Sequence, residues 1–247
     1  MPVAADPWWL LVAVLALGGL ATFAFAVRAL DLLGSFASFL LGLLVALAGG
    51  LGWMLLMVVF TGLGFVATRV GYGRKKRLRV AEDAEGERGI RNVLGNGAAA
   101  GIVVLVGLVR GVPAAAVGLA FATALAAVAA DTLASELGVL SARARNILPP
   151  FGKAKVGANG GVSWAGQGAA LVGAILIAAA SVPLVGVPWT WAWLPAVAGF
   201  VGCQVDSVLG AMLEGEPSRP GPLGKQDVNF LASLLPALAV LALAWWL

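Results

Sequence analysis

Polar residues along this chain come in short bunches, and the stretches between them are almost wholly apolar. Apolar runs lie near 8–28, 31–49, 51–70, 91–109, 113–136, 162–182, 190–212 and 227–247. A hydrocarbon core ~30 Å thick takes about 20 helical residues to cross, so each run has the length of one span. The pattern predicts an all-α fold, a polytopic integral membrane helical bundle of about eight transmembrane segments. A glycine joint at Gly49–Gly52 parts the second run from the third. Composition agrees: 61% of the 247 residues are hydrophobic, 11% are charged, and the mean hydropathy is +0.97, outside the range of soluble domains. Residues 1–247 then form a single transmembrane domain with loops near 71–90, 137–161 and 213–226.

Charge gives the bundle an expected orientation. With eight crossings the connections alternate between two sides, and one side takes the end near Arg28 and the three loops just named. Of the 16 Lys and Arg residues, all but Arg110 fall on that side. The positive-inside rule makes it cytoplasmic and puts both termini outside. Every Asp and Glu except Asp6 also lies at or near it. The expected location is the cell membrane, multi-pass, with a cytoplasmic active face. The opposite connections are short and apolar, with Trp189, Trp191 and Trp193 suited to an interfacial belt. "AFA" before Val27 has the form of a signal-peptide cleavage site, but "MPVAADP" has no basic residue and Arg28 follows the run, so the run is read as a span. "RKKRLRV" reads as an orientation signal beside anionic lipid heads, and the following "AEDAEGE" as a mobile, solvated loop.

Candidate chemistry gathers at the ends of the runs. In "ADTLASELG" a helix places Asp131, Ser135, Thr132 and Glu136 at roughly 0°, 40°, 100° and 140°, on one shared face. "CQVDSVLGAM" places Asp206, Gly210 and Ser207 within a similar arc, as "ERGIRNVLGNG" does for Arg91, Gly95, Asn92 and Asn96. Carboxylates within spans cost at least about 2.5 kcal/mol each on insertion scales, and they mark ion or substrate sites more often than chance placement would. The bland alternative is that Asp131 and Asp206 pair with Arg91 or a lysine and only tie the bundle together. Glycines at four-residue spacing, Gly97 with Gly101 and Gly157 with Gly161, read as helix packing. The glycine-containing loop "FGKAKVGANGG" could hold phosphate through its lysines and backbone N–H groups, or touch lipid heads as a solvated basic loop.

Histidine is absent, which removes the usual general base and the commonest metal ligand. The single cysteine, Cys203, reads as a small buried hydrophobe. Carboxylates beside hydroxyls, amides and cations point to a Mg²⁺–polyphosphate site. No P-loop or kinase glycine loop is present, so a nucleotide site must be of another kind.

The blocks "RGIRNVLGNG", "AADTLASELGVLS", "KVGANGGVSWAG", "GCQVDSVLGAMLE" and "DVNFLASL", in this order over about residues 31 to 235, resemble the membrane family known as domain of unknown function 92. That family includes plant phytyl-phosphate kinase and the transmembrane-protein-19-like proteins. The resemblance implies phosphoryl transfer from a nucleoside triphosphate, CTP favoured, to an isoprenoid monophosphate. By matching position it implicates Arg91, Asn92, Asn96, Asp131, Ser135, Glu136, Asn159, Gly160, Asp206, Ser207 and Asn229. Two departures stand out: Leu133 where the family often has Trp, and Asn92-Val93-Leu94-Gly95-Asn96-Gly97 where it often has Gln-Val-Leu-Ala-Asn-Gly.

The expectation is therefore an integral-membrane prenyl-phosphate kinase. Asp131, Glu136 and Asp206 are its catalytic and metal residues, with Glu136 either a third ligand of Mg²⁺ or the group that orients it. Arg91, Lys153 and Lys155 would bind phosphates, and Asn92, Asn96, Ser135, Asn159, Gly160, Ser207 and Asn229 would complete the site. Expected partners are a nucleoside triphosphate, an isoprenoid phosphate lipid and the membrane, with no nucleic acid, and a homo-oligomer is compatible with the pattern. The rival readings are an ion-coupled transporter or lipid translocase, and a cytidylyl or alcohol phosphotransferase. The carboxylates cluster toward one side and no internal repeat is evident, which weighs against transport.

Overall fold

The computed structural model describes residues 7–78, 88–109, 111–216 and 219–246. Nine α-helices are described: α1 (Pro7–Ala26), α2 (Leu32–Gly49), α3 (Leu51–Arg69), α4 (Tyr72–Leu78), α5 (Ile90–Gly107), α6 (Ala114–Gly138), α7 (Trp164–Val185), α8 (Trp193–Leu209) and α9 (Lys225–Trp245). All but α4 are long and apolar enough to cross a membrane, which gives eight candidate spans. Their bounds fall within a few residues of the apolar runs. The segment "AEDAEGE" lies outside the described residues.

Local chemistry sets several helix ends. Asp31 caps α2, its carboxylate accepting from the Gly34 N–H at 2.6 Å. Ser163 caps α7, accepting from the Gly166 N–H at 3.1 Å, and its hydroxyl donates to the Gly138 carbonyl at 3.2 Å. That pair of bonds stitches the start of α7 to the end of α6. At the other end of α7, Gly186 takes a left-handed φ of 79°.

Helix α6 is the axis of the bundle. Neighbours α3, α5, α7, α8 and α9 surround it, and 83% of its most apolar window is buried, against 11% for α1. Its alanine-rich sequence explains this. Without large side chains, packing in lipid depends on close backbone approach. A methyl group added at Gly173 of α7 would lie 2.9 Å from the Ala129 carbonyl, and one at Gly199 of α8 would lie 2.8 Å from the Ala126 backbone. The expected packing role of Gly97 and Gly101 holds, since both face Leu41 of α2. That of Gly157 and Gly161 does not: Gly157 is in a loop with φ 80°, and Gly161 begins a strand.

The loops on the basic side gather at one end. Arg69 donates to the Val27 carbonyl, residues 29–31 pair with Arg88, and the loop after α6 meets the one after α8. Within the first long loop, α4 is an unforeseen short helix. The loop after α6 folds into a three-stranded antiparallel sheet of β1 (Ala144–Asn146), β2 (Lys153–Ala154) and β3 (Gly161–Val162), with β1 central. A two-stranded ribbon of β4 (Gly215–Glu216) and β5 (Arg219–Pro220) follows α8. The membrane body is all-helical as expected, with the small sheets confined to its loops. Trp189 and Trp193 are exposed at the opposite end, where Trp193 stacks on Trp191.

Candidate functional site

A polar cavity of about 610 Å³ opens at the basic end, between the ends of α5, α6, α8 and α9 and the glycine-rich loop before α7. Helix α6 contributes Asp131 and Ser135, α8 contributes Asp206 and Ser207, and α5 contributes Arg91 and Asn92. Three helices, α5, α7 and α9, begin at the cavity, with Gly89, Ser163 and Lys225 on its wall. Their N-terminal partial charges favour an anion there. Beyond Leu209 the α8 helix widens into a π turn, Gly210–Glu214, whose two end residues also line the cavity. Such turns are rare and concentrate at functional sites.

Asp131 and Asp206, 75 positions apart (206 minus 131), stand within side-chain hydrogen-bonding reach, with Lys225 and Glu214 among the charges acting on Asp206. Two carboxylates so close cannot both ionise without a compensating cation or a shared proton. A run of amides approaches the pair. Asn96 donates to Asn92 Oδ1 at 3.0 Å, and Asn229 donates to Asn96 Oδ1 at 3.1 Å. With the Asn229 amide turned over, its NH₂ instead donates to Asp206 Oδ1 at 3.1 Å and to the Lys225 carbonyl at 3.0 Å. Asn96 and Asn229 are buried, so this chain is held in a low-dielectric wall. Gly95 is explained here too: a methyl group there would meet the Gln226 carbonyl at 2.8 Å, so glycine lets α9 close on α5.

Glu136 lines the same cavity, yet both of its carboxylate oxygens are already engaged by other partners. Its Oε2 takes Lys75 Nζ at 2.6 Å, and its Oε1 takes the Thr68 hydroxyl at 2.7 Å and Arg88 Nη2 at 3.3 Å. Lys75 is 1% exposed and also donates to the Ala67 and Thr68 carbonyls at 2.8 and 3.2 Å. Thus one residue of the polybasic run, expected at the lipid headgroups, is a buried anchor for α4. Thr132 turns the same way, its methyl facing Gly64 of α3. Of the arc assigned to one face of α6, Asp131, Ser135 and Glu136 line the cavity, while Thr132 turns to α3 and the Glu136 oxygens bond Thr68, Lys75 and Arg88. Among the described residues, no three His, Cys, Asp or Glu side chains group into a metal cage.

The loop reaches the cavity through residues 156–163, mostly backbone and glycine, rather than through lysine. Lys153 and Lys155 are exposed and outside the cavity wall, where Lys153 pairs across β1 with Arg145. Asn159 lines the cavity and donates to the Gly215 carbonyl at 2.8 Å. Gly160, with φ 69°, lies against Ser207 and Ala211, where a side chain would collide. Cys203 is buried as expected, at the cavity floor. Sequence reasoning overlooked Lys225 at the site, although Lys225, Asn229 and Ser233 recur every four residues and so share one face of α9. Thr68, Lys75 and Arg88 offered no comparable spacing signal.

Eight apolar helices, with a polar cavity at one end of their bundle, define a multi-pass integral membrane protein. Residues 15–237 match the family model described as "Integral membrane protein DUF92", and the chain belongs to that family. It is similar to the "Uncharacterized membrane protein MJ0933" of Methanocaldococcus jannaschii, with 29% identity over 84% of this chain and 83% of that protein. It is also similar to two Arabidopsis thaliana proteins. "Protein PGR" is 27% identical over 84% of this chain and 86% of its own length, and "Protein VTE6, chloroplastic" is 30% identical over 62% and 46%. No solved structure matches the chain.

Proposed function

We propose that this protein is a Mg²⁺-dependent phosphotransferase acting at the membrane surface. It moves the γ-phosphoryl group of a nucleoside triphosphate, with CTP favoured, to an isoprenoid monophosphate and yields the diphosphate. The observation that carries this reading is the approach of Asp131 to Asp206 in a polar cavity bordered by three helix N-termini. The family resemblance, whose membership includes plant phytyl-phosphate kinase, supports the choice of acceptor. The basic character of this end of the bundle supports a cytoplasmic active face and external termini.

Paired carboxylates with an amide shell suit Mg²⁺, which takes one or two protein carboxylates and completes its coordination with water and substrate phosphates. Bound by Asp131 and Asp206, it would offset the charge on the phosphate oxygens during transfer. Arg91 and Lys225 hold the polyphosphate, and Ser135, Ser207 and Asn159 donate hydrogen bonds around it. Asn96 and Asn229 fix the orientation of Asp206, while Glu136 acts at one remove by positioning Arg88. An acceptor phosphate oxygen forms the new bond to the γ-phosphorus as the β–γ bridging bond breaks. The electron pair of that bond leaves with the nucleoside diphosphate. Because the acceptor is already ionised it needs no general base, in keeping with a chain that has no histidine.

The test is to incubate purified full-length protein with Mg²⁺, each of CTP, ATP, GTP and UTP, and phytyl, geranylgeranyl and longer prenyl phosphates. Prenyl diphosphate together with a nucleoside diphosphate is the expected outcome. No transfer to any acceptor would sink the reading, pyrophosphate release would make the protein a nucleotidyltransferase, and nucleotide-independent flux in proteoliposomes would make it a transporter.

A further inference from the structure

A second cavity, of about 300 Å³, lies beside the polar one and differs from it in chemistry. It runs between α1, α2, α3 and α5, along side chains such as Leu17, Phe23, Phe39, Met57 and Phe60. Phe23 is 63% exposed, so the α1 wall of the groove also borders the surrounding lipid. At its basic end the lining changes to Thr68, Arg69, Arg88, Asn92 and Asn96. Arg88 donates to Thr68 at 2.9 Å and to Glu136 at 3.3 Å, and Arg69 donates to the Val27 carbonyl at 3.3 Å and lies over the Phe65 ring. Among the described residues, the groove lining at this end carries two cations, Arg69 and Arg88, and no carboxylate.

Asn92 lines both cavities. From it the amides of Asn96 and Asn229 lie in sequence toward Asp206, with Asn229 bonding Asn96 in one amide orientation and Asp206 in the other. An anionic head at the basic end of the groove would therefore be separated from the polyphosphate cavity by little more than the Asn92 side chain.

We infer that the groove between α1, α2, α3 and α5 is the acceptor site: it takes the chain of a single-chain lipid monophosphate, whose phosphate sits at Arg69 and Arg88 beside Asn92. This rests on the phosphotransferase reading and assigns its second substrate a place. An apolar channel of this size suits one hydrocarbon chain, and a cationic end suits one phosphate. Glu136 then acts on the acceptor side as well, since it bonds Arg88, which lines the groove.

The test uses the full chain in nanodiscs with a diazirine-bearing geranylgeranyl phosphate, mapping the cross-linked residues by mass spectrometry with and without unlabelled prenyl phosphate or prenyl alcohol. Labelling is expected on α1, α3 and α5, displaced by the phosphate and not by the alcohol. Ala24→Phe and Thr61→Phe, at half-buried and exposed positions of the lining, narrow the groove. Each should reduce labelling by about tenfold and raise the lipid KM far more than the nucleotide KM. Arg69→Gln should weaken phosphate displacement. Labelling on the outer faces of α7 or α9, or labelling indifferent to both groove variants, overturns the inference even if transfer occurs. Phosphate-dependent labelling of the groove without any transfer upholds this site and removes the kinase reading instead.

Discussion

Two carboxylates five residues apart on the same helix, Asp131 and Glu136, have different partners. Glu136 borders the same cavity, but its carboxylate is tied into a knot with Lys75, Thr68 and Arg88. Asp131 faces a cavity and another carboxylate, Asp206. The knot joins α3, α4 and α6 and stabilises the basic end, provided its charges stay matched. The Asp131–Asp206 pair does the reverse, bringing together two acids that cannot both ionise without a cation or a shared proton, at a cost to the fold. Unfavourable arrangements of this kind persist where a ligand needs them. The difference between the two regions is one of charge complementarity, and under the proposed function it separates a positioning carboxylate from a cation-holding pair.

The largest effect should come from the knot. Lys75→Met leaves Glu136 buried with one cation fewer, and removing one partner of a buried pair costs about 3–5 kcal/mol. Thermal melts in detergent should show a marked loss of stability, and Lys75→Met combined with Glu136→Gln should recover at least about 1 kcal/mol of it. A single variant as stable as the parent would dissolve the comparison.

Next in size, Asp131→Asn and Asp206→Asn should each lower phosphoryl transfer by at least about 100-fold, the scale of losing a metal ligand or its direct support. Their melting temperatures should hold or rise, since a repulsion is removed. Radiolabelled transfer assays paired with melts check both halves. Unfolding of either Asn variant would show that these carboxylates are structural after all.

Much of this was legible in the sequence. Eight spans are readable because a bilayer imposes a length and an apolar composition that few other environments require. The clustering of the basic loops at one end is readable from alternation, and so is the meeting of Asp131 and Asp206 at one depth. What was not readable is which neighbour each face of α6 meets. Thr132 and Glu136 lie within roughly 140° of Asp131, an arc treated as one face, yet a central helix with neighbours on all sides turns from one to the next within about 100°. Periodicity supplies an azimuth and not a partner. Lys75 was hidden for a related reason, because nothing local distinguishes it from Arg74, Lys76 and Arg77 beside it. The small sheet after α6 was masked by short strands among glycines and prolines.

Smaller effects sharpen the comparison from the side of the cavity wall. Asn229→Ala removes the amide between Asn96 and Asp206, and transfer should fall about tenfold with little change in nucleotide KM, because the loss is one of orientation. Kinetics at saturating nucleotide would reveal it. Smallest of all, Lys153→Ala and Lys155→Ala should change nucleotide KM by no more than about threefold, as suits exposed charges outside the cavity. A tenfold rise in that KM would mean that the loop closes over the nucleotide and would restore the lysines to the site.

The central claim is that Asp131 and Asp206, and not Glu136, hold the cation that accompanies the nucleotide. Titration of Mn²⁺ into purified protein with CTP, followed by electron paramagnetic resonance, tests it most directly. The account predicts nucleotide-dependent Mn²⁺ binding that weakens by at least about tenfold in Asp131→Asn and in Asp206→Asn and persists in Glu136→Gln. Binding that survives both Asp substitutions and disappears with Glu136→Gln would contradict it.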